Sequence, residues 1–448
     1  MDPYLPSIET IKEPPYNFRG RLKHLGPSLI LSAAIVGSGE LIATTSLGAK
    51  AGFVTFWLII LGCIIKVMVQ LAFGKHTLLT GETAMQALNS LPGIRTKRAN
   101  WAVWSMAFMM LLKLLQMGGI IGGVAIILNL TFPFISIPIW AFITAFAVAL
   151  LVSLGYYKFI EKFSLYMIAF FTLFTFTTLY FLNFTPYQLH WEDIASGLQF
   201  QLPKASLAFA FGAFGITGVG GDEILHYNYW CLEKGYAAFS GPNDGSAEWN
   251  ARAKGWIKVM YLDAIIAMII YTSVTAAFYL LGAAVLHSQG QIPEGYGMIE
   301  TLSTIYTDTL GPEAKLFFMA GSFVVLFSTL FASLAAWTRQ YADIFGQLQF
   351  IDFFNIQSRQ KTIKTFAWLL PMSWAILFIF LKLPMAMVMI GGIVGSVILF
   401  YVVAAVLYFR YFRTQAEFKP KIWNDFALWI SSLSIIFIGL YGIIKYFY

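Results

Sequence analysis

The sequence predicts an all-α polytopic membrane protein built from two halves of five helices that run in opposite directions, with the first helix of each half broken. Three observations predict this class. The chain is 58% hydrophobic and only 11% charged, whereas a soluble protein carries about 25% charged residues. Its apolar runs have the length of about 20 residues that crosses a bilayer as a helix. Two of these runs, near residues 37–40 and 218–223, contain both glycines and carboxylates.

The spans follow from the apolar segments and from the placement of positive charge. A cytoplasmic segment, residues 1–26, precedes the first span. With the N-terminus inside, most of the 29 Lys and Arg residues fall in loops predicted to be cytoplasmic, as the positive-inside rule requires. The eleven predicted spans are residues 27–48, 52–73, 101–130, 137–155, 160–183, 204–231, 257–284, 314–338, 364–382, 384–409 and 426–446.

The order of the spans divides the chain into two repeats. Spans 1–5 form the first, residues 27–183, and spans 6–10 form the second, residues 204–409, while span 11, residues 426–446, follows them. Since five is an odd number, the repeats cross the membrane in opposite orientations, and the break falls in the first span of each. Small-residue spacing on spans 3 and 10, at 118–123 and 391–395, predicts close helix packing.

The two breaks carry acidic residues. An ionised Glu at bilayer depth costs about 2.5 kcal/mol or more on insertion scales, so such residues usually face a cavity, a partner or a substrate. Glu40 lies in the first break, and Asp222 and Glu223 lie in the second. Carboxylates and the free carbonyls of unwound backbone form the oxygen ligand set of hard cations. We therefore expect the breaks to face each other and bind a cation; the alternative is a neutral Glu40, hydrogen-bonded within a helix break.

Four further polar residues lie within spans, and each has two interpretations. His226 is either a cation ligand or proton relay, or a hydrogen-bonded packing residue. Asp263, expected one or two turns from the cytoplasmic surface, is a candidate proton relay or a support for the site. Lys66 and Lys113 either neutralise an acid such as Asp263 or extend toward the membrane edge.

Several short stretches occur in an order and at a spacing typical of one transporter family. They are Gly26-Pro27, Gly48-Ala49-Lys50-Ala51-Gly52-Phe53, Leu79-Thr80-Gly81-Glu82-Thr83, Leu128-Asn129-Leu130 and Gly215-Ile216-Thr217-Gly218. Through them, roughly the first two thirds of the chain resembles the Nramp family of proton-coupled divalent-metal transporters. The resemblance implies a LeuT-type 5+5 inverted repeat and a divalent metal ion as the transported substrate, with no separate cofactor.

In the first break the sequence departs from the family pattern. The family's Asp-Pro-Gly-Asn aligns with residues 37–40, so Gly37 stands at the metal-binding Asp and Glu40 at the metal-binding Asn. Because glycine has no side-chain ligand, the resemblance implies that Gly37 contributes only its backbone to the metal site. The acidic residues usual on the third span fall near Gln116, which puts the family's proton route in question.

The second break departs as well. The family's metal-binding Met aligns with Asp222, or with Glu223 after a slip of one residue, and its carbonyl ligand aligns with Val219. Replacing a thioether by carboxylates shifts the preference from soft transition metals to hard, oxygen-binding ions. The chain thus resembles a divergent branch of the family with altered metal-site motifs.

These observations predict a secondary transporter that moves a hard divalent cation, with Mg²⁺ or Mn²⁺ favoured, by alternating access and with protons as a candidate coupling ion. One alternative is a symporter of the same fold for an amino acid or an organic cation such as a polyamine. Another is a membrane sensor that does not transport. No nucleotide-binding loop is visible in the sequence, so we expect neither an ATP-driven pump nor an enzyme.

The predicted partners are membrane lipids, the transported cation and protons. The net charge of +7 follows the membrane topology, so it does not indicate nucleic acid. The predicted location is a bacterial-type inner (plasma) membrane, which the chain crosses many times.

Overall fold

The computed structural model describes residues 2–37, 39–154 and 157–447, and within these ranges the ordered elements are helices, apart from one bridge between Arg95 and Asn100. This confirms the predicted all-α class. The α-helices are α1 (Phe18–Leu22), α2 (Pro27–Ile35), α3 (Thr45–Ala51), α4 (Phe56–Thr80), α5 (Ala84–Asn89), α6 (Trp101–Thr131), α7 (Ile137–Ser153), α8 (Tyr157–Phe181), α9 (Trp191–Ser196), α10 (Leu207–Ile216), α11 (Gly221–Lys234), α12 (Tyr236–Ser240), α13 (Ala247–Leu281), α14 (Met298–Leu310), α15 (Ala314–Gln347), α16 (Ile356–Leu381), α17 (Pro384–Tyr408) and α18 (Ile422–Phe447).

Among the described residues, seven helices are long and apolar enough to cross a membrane. They are Phe56–Thr80, Trp101–Thr131, Ala247–Leu286, Ala314–Gln347, Ile356–Leu381, Pro384–Arg413 and Ile422–Tyr441. Two shorter apolar helices, Ile137–Ser153 and Ala169–Phe184, lie in predicted spans 4 and 5. The chain is therefore a multi-pass membrane protein. The count of eleven spans and the boundaries of the two repeats stay predictions.

The first span is broken where the glycines predict it. Helix α2 begins at Pro27, in a position where the missing amide costs nothing, and it ends at Ile35. The chain resumes as a π-helical turn, Gly39–Thr44, which continues directly into α3. The sequence did not predict the π-helical turn. It places Glu40 in the first turn of the second half-helix, where the side chain is buried.

The second break separates α10 from α11. Helix α10 ends at Ile216, and the next four residues, 217–220, are not helical. Thr217 is extended, and Gly218 has a φ of 65°, in the left-handed region that glycine adopts readily. Both predicted breaks are therefore confirmed, and each leaves two half-helices.

The two breaks contact each other directly. A Cβ atom added to Gly39 would lie 2.9 Å from the carbonyl oxygen of Ile216, at the end of α10. The hydroxyl oxygens of Thr44 and Thr217 are 2.9 Å apart, which is hydrogen-bond distance. The first broken span therefore packs against the second through backbone and small polar groups.

Helix α17 supports the second break by packing closely on its neighbours. A Cβ atom on Gly392 would collide with the carbonyl oxygen of Gly212 in α10, and one on Gly119 of α6 would collide with that of Pro384. A Cβ atom on Gly221 would lie 2.8 Å from the carbonyl carbon of Ile398. The glycine-rich stretches of spans 3 and 10 thus serve packing, as predicted.

The N-terminal segment lies against the predicted cytoplasmic ends of three helices. Its hydrogen bonds reach α11, α16 and α13: Tyr4 Oη donates to Glu233 Oε1 (2.8 Å), Arg359 Nη2 donates to Asp2 Oδ1 (2.9 Å), and Trp256 Nε1 donates to the Lys12 carbonyl (3.0 Å). These contacts therefore hold the segment against three helices of the predicted second repeat.

Candidate functional site

Glu40 is fully buried after the first break. Thr275 Oγ1, on α13, donates a hydrogen bond to Glu40 Oε1 at 2.9 Å, and the Gly37 amide donates to Oε2 at 3.4 Å. Both donors are neutral. One turn before Thr275, the buried hydroxyl of Tyr271 has no hydrogen-bond partner within the described part of the chain. Helix α13 therefore supplies the polar surroundings of Glu40.

Gly37 is enclosed by α15. A Cβ atom at this position would collide with the hydroxyl of Thr329, so the close approach requires glycine. The Gly37 carbonyl accepts the Leu41 amide at 2.9 Å. One lone pair of that carbonyl is thereby used, and the second remains available.

Asp222 lies in the first turn of α11, where the helix N-terminus favours negative charge. Lys113 Nζ, on α6, lies 2.9 Å from Asp222 Oδ1, and the two side chains are only 0% and 3% exposed. Helix α17 encloses the pair, since a Cβ atom on Gly395 would lie 3.3 Å from Lys113 Nζ. The second break thus contains a buried ion pair.

A small cavity lies beside Asp222, and Glu223, His226 and Gln116 also line it. Its volume is about 10 Å³, near the minimum that holds one water molecule. Glu223 Oε2 and Gln116 Oε1 are buried, and neither accepts a hydrogen bond from the described residues. Because buried acceptors are normally satisfied, these oxygens are suited to a cation or to a hydrogen-bond donor.

Val219 adds a backbone oxygen to the same region. The residue is fully buried in the non-helical connection between α10 and α11. No backbone amide in the described ranges donates to its carbonyl. The unwound backbone therefore leaves an acceptor of the kind that transporters with broken helices use to bind ions.

Lys66, on α4, is fully buried at the end of α10. Its ammonium donates to the carbonyl of Phe214 and to that of Thr217 (2.8 Å), and it lies 4.4 Å from the centre of the Phe214 ring. It also interacts electrostatically with Glu40 and Glu223. The C-terminal carbonyls of a helix carry partial negative charge. The Lys66 ammonium neutralises that charge at the end of α10.

The structure brings four of the predicted site residues to one cavity and leaves Glu40 apart from it. Asp222, Glu223, His226 and Gln116 line this cavity, whereas Glu40 does not. Among the described residues, no three His, Cys, Asp or Glu side chains are grouped so that they could hold a metal ion. The expected single cage around Glu40 and Asp222 is not formed in this conformation.

Two predicted residues have hydrogen bonds that account for their burial. His226 Nε2 lies 2.8 Å from Gln340 Oε1 on α15. This hydrogen bond agrees with the interpretation of His226 as a packing residue. The Asp263 carboxylate accepts the amides of Gly26 at 2.8 Å and Ser28 at 2.7 Å. Asp263 therefore caps the N-terminus of α2, a structural role that the sequence did not indicate.

Lys113 pairs with an acid, which agrees with one of its two interpretations, but the acid is Asp222 and not Asp263. Lys66 binds backbone carbonyls at the same break. Sequence reasoning also missed Thr275, which binds Glu40 from another helix. One signal was available: Tyr271 and Thr275 are four residues apart and so share a face of α13. The sequence alone does not predict that this face of α13 contacts Glu40.

Comparisons with known proteins agree with this architecture. The Divalent metal cation transporter MntH of Mycobacterium tuberculosis is 24% identical over 299 residues, which cover 66% of this chain and 64% of that protein. The protein of the same name from Mycobacterium bovis is also 24% identical, and 40% of its length is covered. This chain therefore spans less than two thirds of the length of these relatives.

Solved structures give the same fold at low sequence identity. A manganese transporter from Eremococcus coleocola, in complex with an aromatic bis-isothiourea substituted compound, has a TM-score of 0.55 at 17% identity, covering 99% of both chains. MhsT in complex with L-phenylalanine has a TM-score of 0.59 at 15% identity, covering 97% of this chain and all of that one. The family profile described as "Natural resistance-associated macrophage protein-like" matches residues 28–445. The fold is LeuT-type, and the chain belongs to the Nramp family.

Proposed function

We propose that this protein is a secondary transporter that moves a hard divalent cation, Mg²⁺ or Mn²⁺, across a membrane by alternating access. The observation that carries the proposal is the group of buried oxygens at the second break. Asp222, Glu223 and Gln116 line one cavity there, and Glu223 and Gln116 each leave an acceptor unpaired among the described residues. Carboxylate and amide oxygens favour hard cations over thiophilic ones.

The proposed ligands come from both breaks. Asp222 or Glu223 and the Val219 carbonyl bind the ion on one side, and Glu40 and the second lone pair of the Gly37 carbonyl bind it on the other. The direct contact of Gly39 with Ile216 supports this assignment, because it holds the two broken spans together. Closing the distance between Glu40 and Asp222 would then be part of the transport cycle.

The size of the cavity favours an ion over an organic substrate. A pocket for a small organic ligand typically measures about 300–1,000 Å³, whereas the cavity beside Asp222 measures about 10 Å³. An amino acid or a polyamine would need a much wider opening of the two breaks. The names of the MntH relatives and of the Eremococcus coleocola transporter support a metal ion as the substrate.

Protons are the proposed coupling ion. A buried ionised carboxylate costs several kcal/mol unless it is paired, and the hydrogen-bond donors of Glu40 are neutral. We propose that Glu40 carries a proton when the cation is absent and releases it when the cation binds. His226 and Gln116 would support the Asp222 side of the site. The proposed location is the inner membrane of a bacterial-type cell.

Calorimetric titration of the purified protein with Mg²⁺, Mn²⁺ and Ca²⁺ tests the proposal, with an amino-acid and polyamine panel in parallel. We expect saturable heat with at least one divalent ion at millimolar concentration or below. Glu40→Gln and Asp222→Asn should each weaken binding about tenfold or more, because a hydrogen bond or contact to a charged group contributes about 1.5–3 kcal/mol.

Two results would contradict the proposal. One is the absence of heat with every divalent ion at millimolar concentration. The other is divalent binding that both substitutions leave unchanged. Heat with a polyamine or an amino acid alone would instead favour the organic-substrate symporter, and uptake into proteoliposomes would then identify its cargo.

A further inference from the structure

Two buried lysines face the second break, and they are held in different ways. Lys66 donates to two backbone carbonyls at the end of α10 and lies against the Phe214 ring, so its ammonium is fixed by several contacts. Lys113 contacts Asp222 at 2.9 Å as an ion pair, but it has no aligned hydrogen bond to any of the described residues. Lys113 is therefore the less constrained of the two ammonium groups.

The contact made by Lys113 involves an oxygen that the proposed cargo needs. Mg²⁺ and Mn²⁺ bind carboxylate oxygens at about 2.0–2.2 Å, and Lys113 Nζ is already 2.9 Å from Asp222 Oδ1. A metal ion on the same oxygen would lie within a few ångströms of the ammonium in a buried, weakly screened environment. Repulsion at that distance is strong, so the two cations compete.

We propose that Lys113 sets the affinity of the site, because its ammonium occupies Asp222 in the cargo-free protein and the cargo binds only by displacing it. This inference rests on the proposed function. It favours an abundant cation over a scarce one, because only a cation at high concentration displaces the ammonium from Asp222. It also supplies a means of release, since the returning ammonium expels the cargo from Asp222.

Lys113→Gln tests the inference, because glutamine removes the charge but keeps a hydrogen-bond donor for Asp222. We expect this variant to bind Mn²⁺ in calorimetric titration at least about tenfold more tightly than the wild type, a change worth about 1.4 kcal/mol. Lys113→Arg keeps the charge and should stay near the wild-type affinity. Lys75→Met, on the same α4 helix as Lys66 but distant from the break, should leave the affinity unchanged.

A double substitution shows whether Lys113 acts through Asp222. In the Asp222→Asn background, adding Lys113→Gln should give no further tightening, because the oxygen for which the cations compete has been replaced. The double variant leaves neither partner of the Lys113–Asp222 pair without its counter-charge, so it is the folded reference if Lys113→Gln alone proves unstable. In that case, a double variant that binds more tightly than Asp222→Asn would overturn the inference. A gain of similar size in both backgrounds would overturn it.

The outcomes separate this inference from the proposed function. If the wild type binds Mn²⁺ and a folded Lys113→Gln binds it equally or more weakly, the inference is wrong and the proposed function stands. If neither binds, both are wrong.

Discussion

Thr275 is the side chain on which the burial of Glu40 depends most directly. Its hydroxyl donates at 2.9 Å to a carboxyl group that has no contact with solvent. The hydrogen bond from the Gly37 amide is longer, at 3.4 Å. A buried acceptor that loses its partner keeps its full desolvation cost. The stability of the first break should therefore respond strongly to this one hydroxyl.

Thr275→Val should destabilise the protein by about 1–3 kcal/mol, because valine keeps the shape of threonine and removes the donor. The measurement is the midpoint of thermal unfolding in detergent. Thr272→Val is the matched control: it makes the same substitution on the same helix, at a hydroxyl that does not bind the Glu40 carboxyl group, and it should change the midpoint little. Equal midpoints for the two variants would contradict a supporting role for Thr275.

At this scale the sequence located the acidic residues but not their neighbours. Glu40, Asp222 and Glu223 stand out because carboxylates in apolar segments are rare. Their partners lie far away in the chain: Thr275 is 235 residues from Glu40, and Lys113 comes from another span. Such pairings follow from how helices rotate and pack, which a single sequence does not contain.

At the scale of elements, the broken helices depend on a few glycines with defined geometry. Gly218 has a φ of 65°, and a Cβ atom there would lie 3.0 Å from Cys63 Sγ and 3.3 Å from the Cα of the same cysteine. The sequence predicted both breaks, because glycine pairs weaken helices. It did not predict the π-helical turn at Gly39–Thr44, which packs against α10 and α13, two helices far from it in the sequence.

Gly218→Ala should destabilise the protein more than Gly290→Ala does. Both glycines have a φ of 65°, so each alanine adds the left-handed backbone cost of about 1–2 kcal/mol. Gly290 has no atom within 4 Å of the added Cβ, whereas Gly218 contacts Cys63. The difference between the two thermal midpoints therefore measures the close packing of the second break. Equal effects would mean that only the backbone conformation requires glycine there.

For the whole molecule, an ion pair on the predicted cytoplasmic face joins distant parts of the chain. Arg413 binds Glu82 through two hydrogen bonds, of 2.8 and 2.7 Å, and His76 Nε2 lies 2.9 Å from the same carboxylate. Burial acts to raise the pKa of Glu82, but the hydrogen bonds and charges of His76 and Arg413 outweigh it and lower the pKa to about 2.

The Glu82 contact should stabilise the protein in a pH-dependent way. Because the folded pKa of about 2 lies below the ordinary value of about 4.3, the contribution is fully present above that ordinary value and is lost as the pH falls toward 2. The thermal midpoint of the wild type should exceed that of Glu82→Gln by a nearly constant amount between about pH 5 and pH 7, because Glu82 is ionised there in both the folded and the unfolded protein. The gap should narrow at pH 4 and again at pH 3, and a gap that stays constant to pH 3 would contradict the assignment.

The fold as a whole was the most predictable level. Composition, span length and the distribution of positive charge identify a membrane protein, and two breaks in corresponding spans indicate an inverted repeat, because these features are encoded locally. The conformation of the site is different. It depends on how many helices pack together, so the separation of Glu40 from the Asp222 cavity could not be predicted from local sequence.

The N-terminal segment has a practical consequence for work on this protein. Its bonds to Glu233, Arg359 and Trp256 connect it to three helices of the predicted second repeat. A purification tag or fluorescent fusion attached before Asp2 would pull on those bonds and bias any assay of conformational change. Labels for such assays belong on the loop around Gly290, where the added Cβ meets no neighbouring atom.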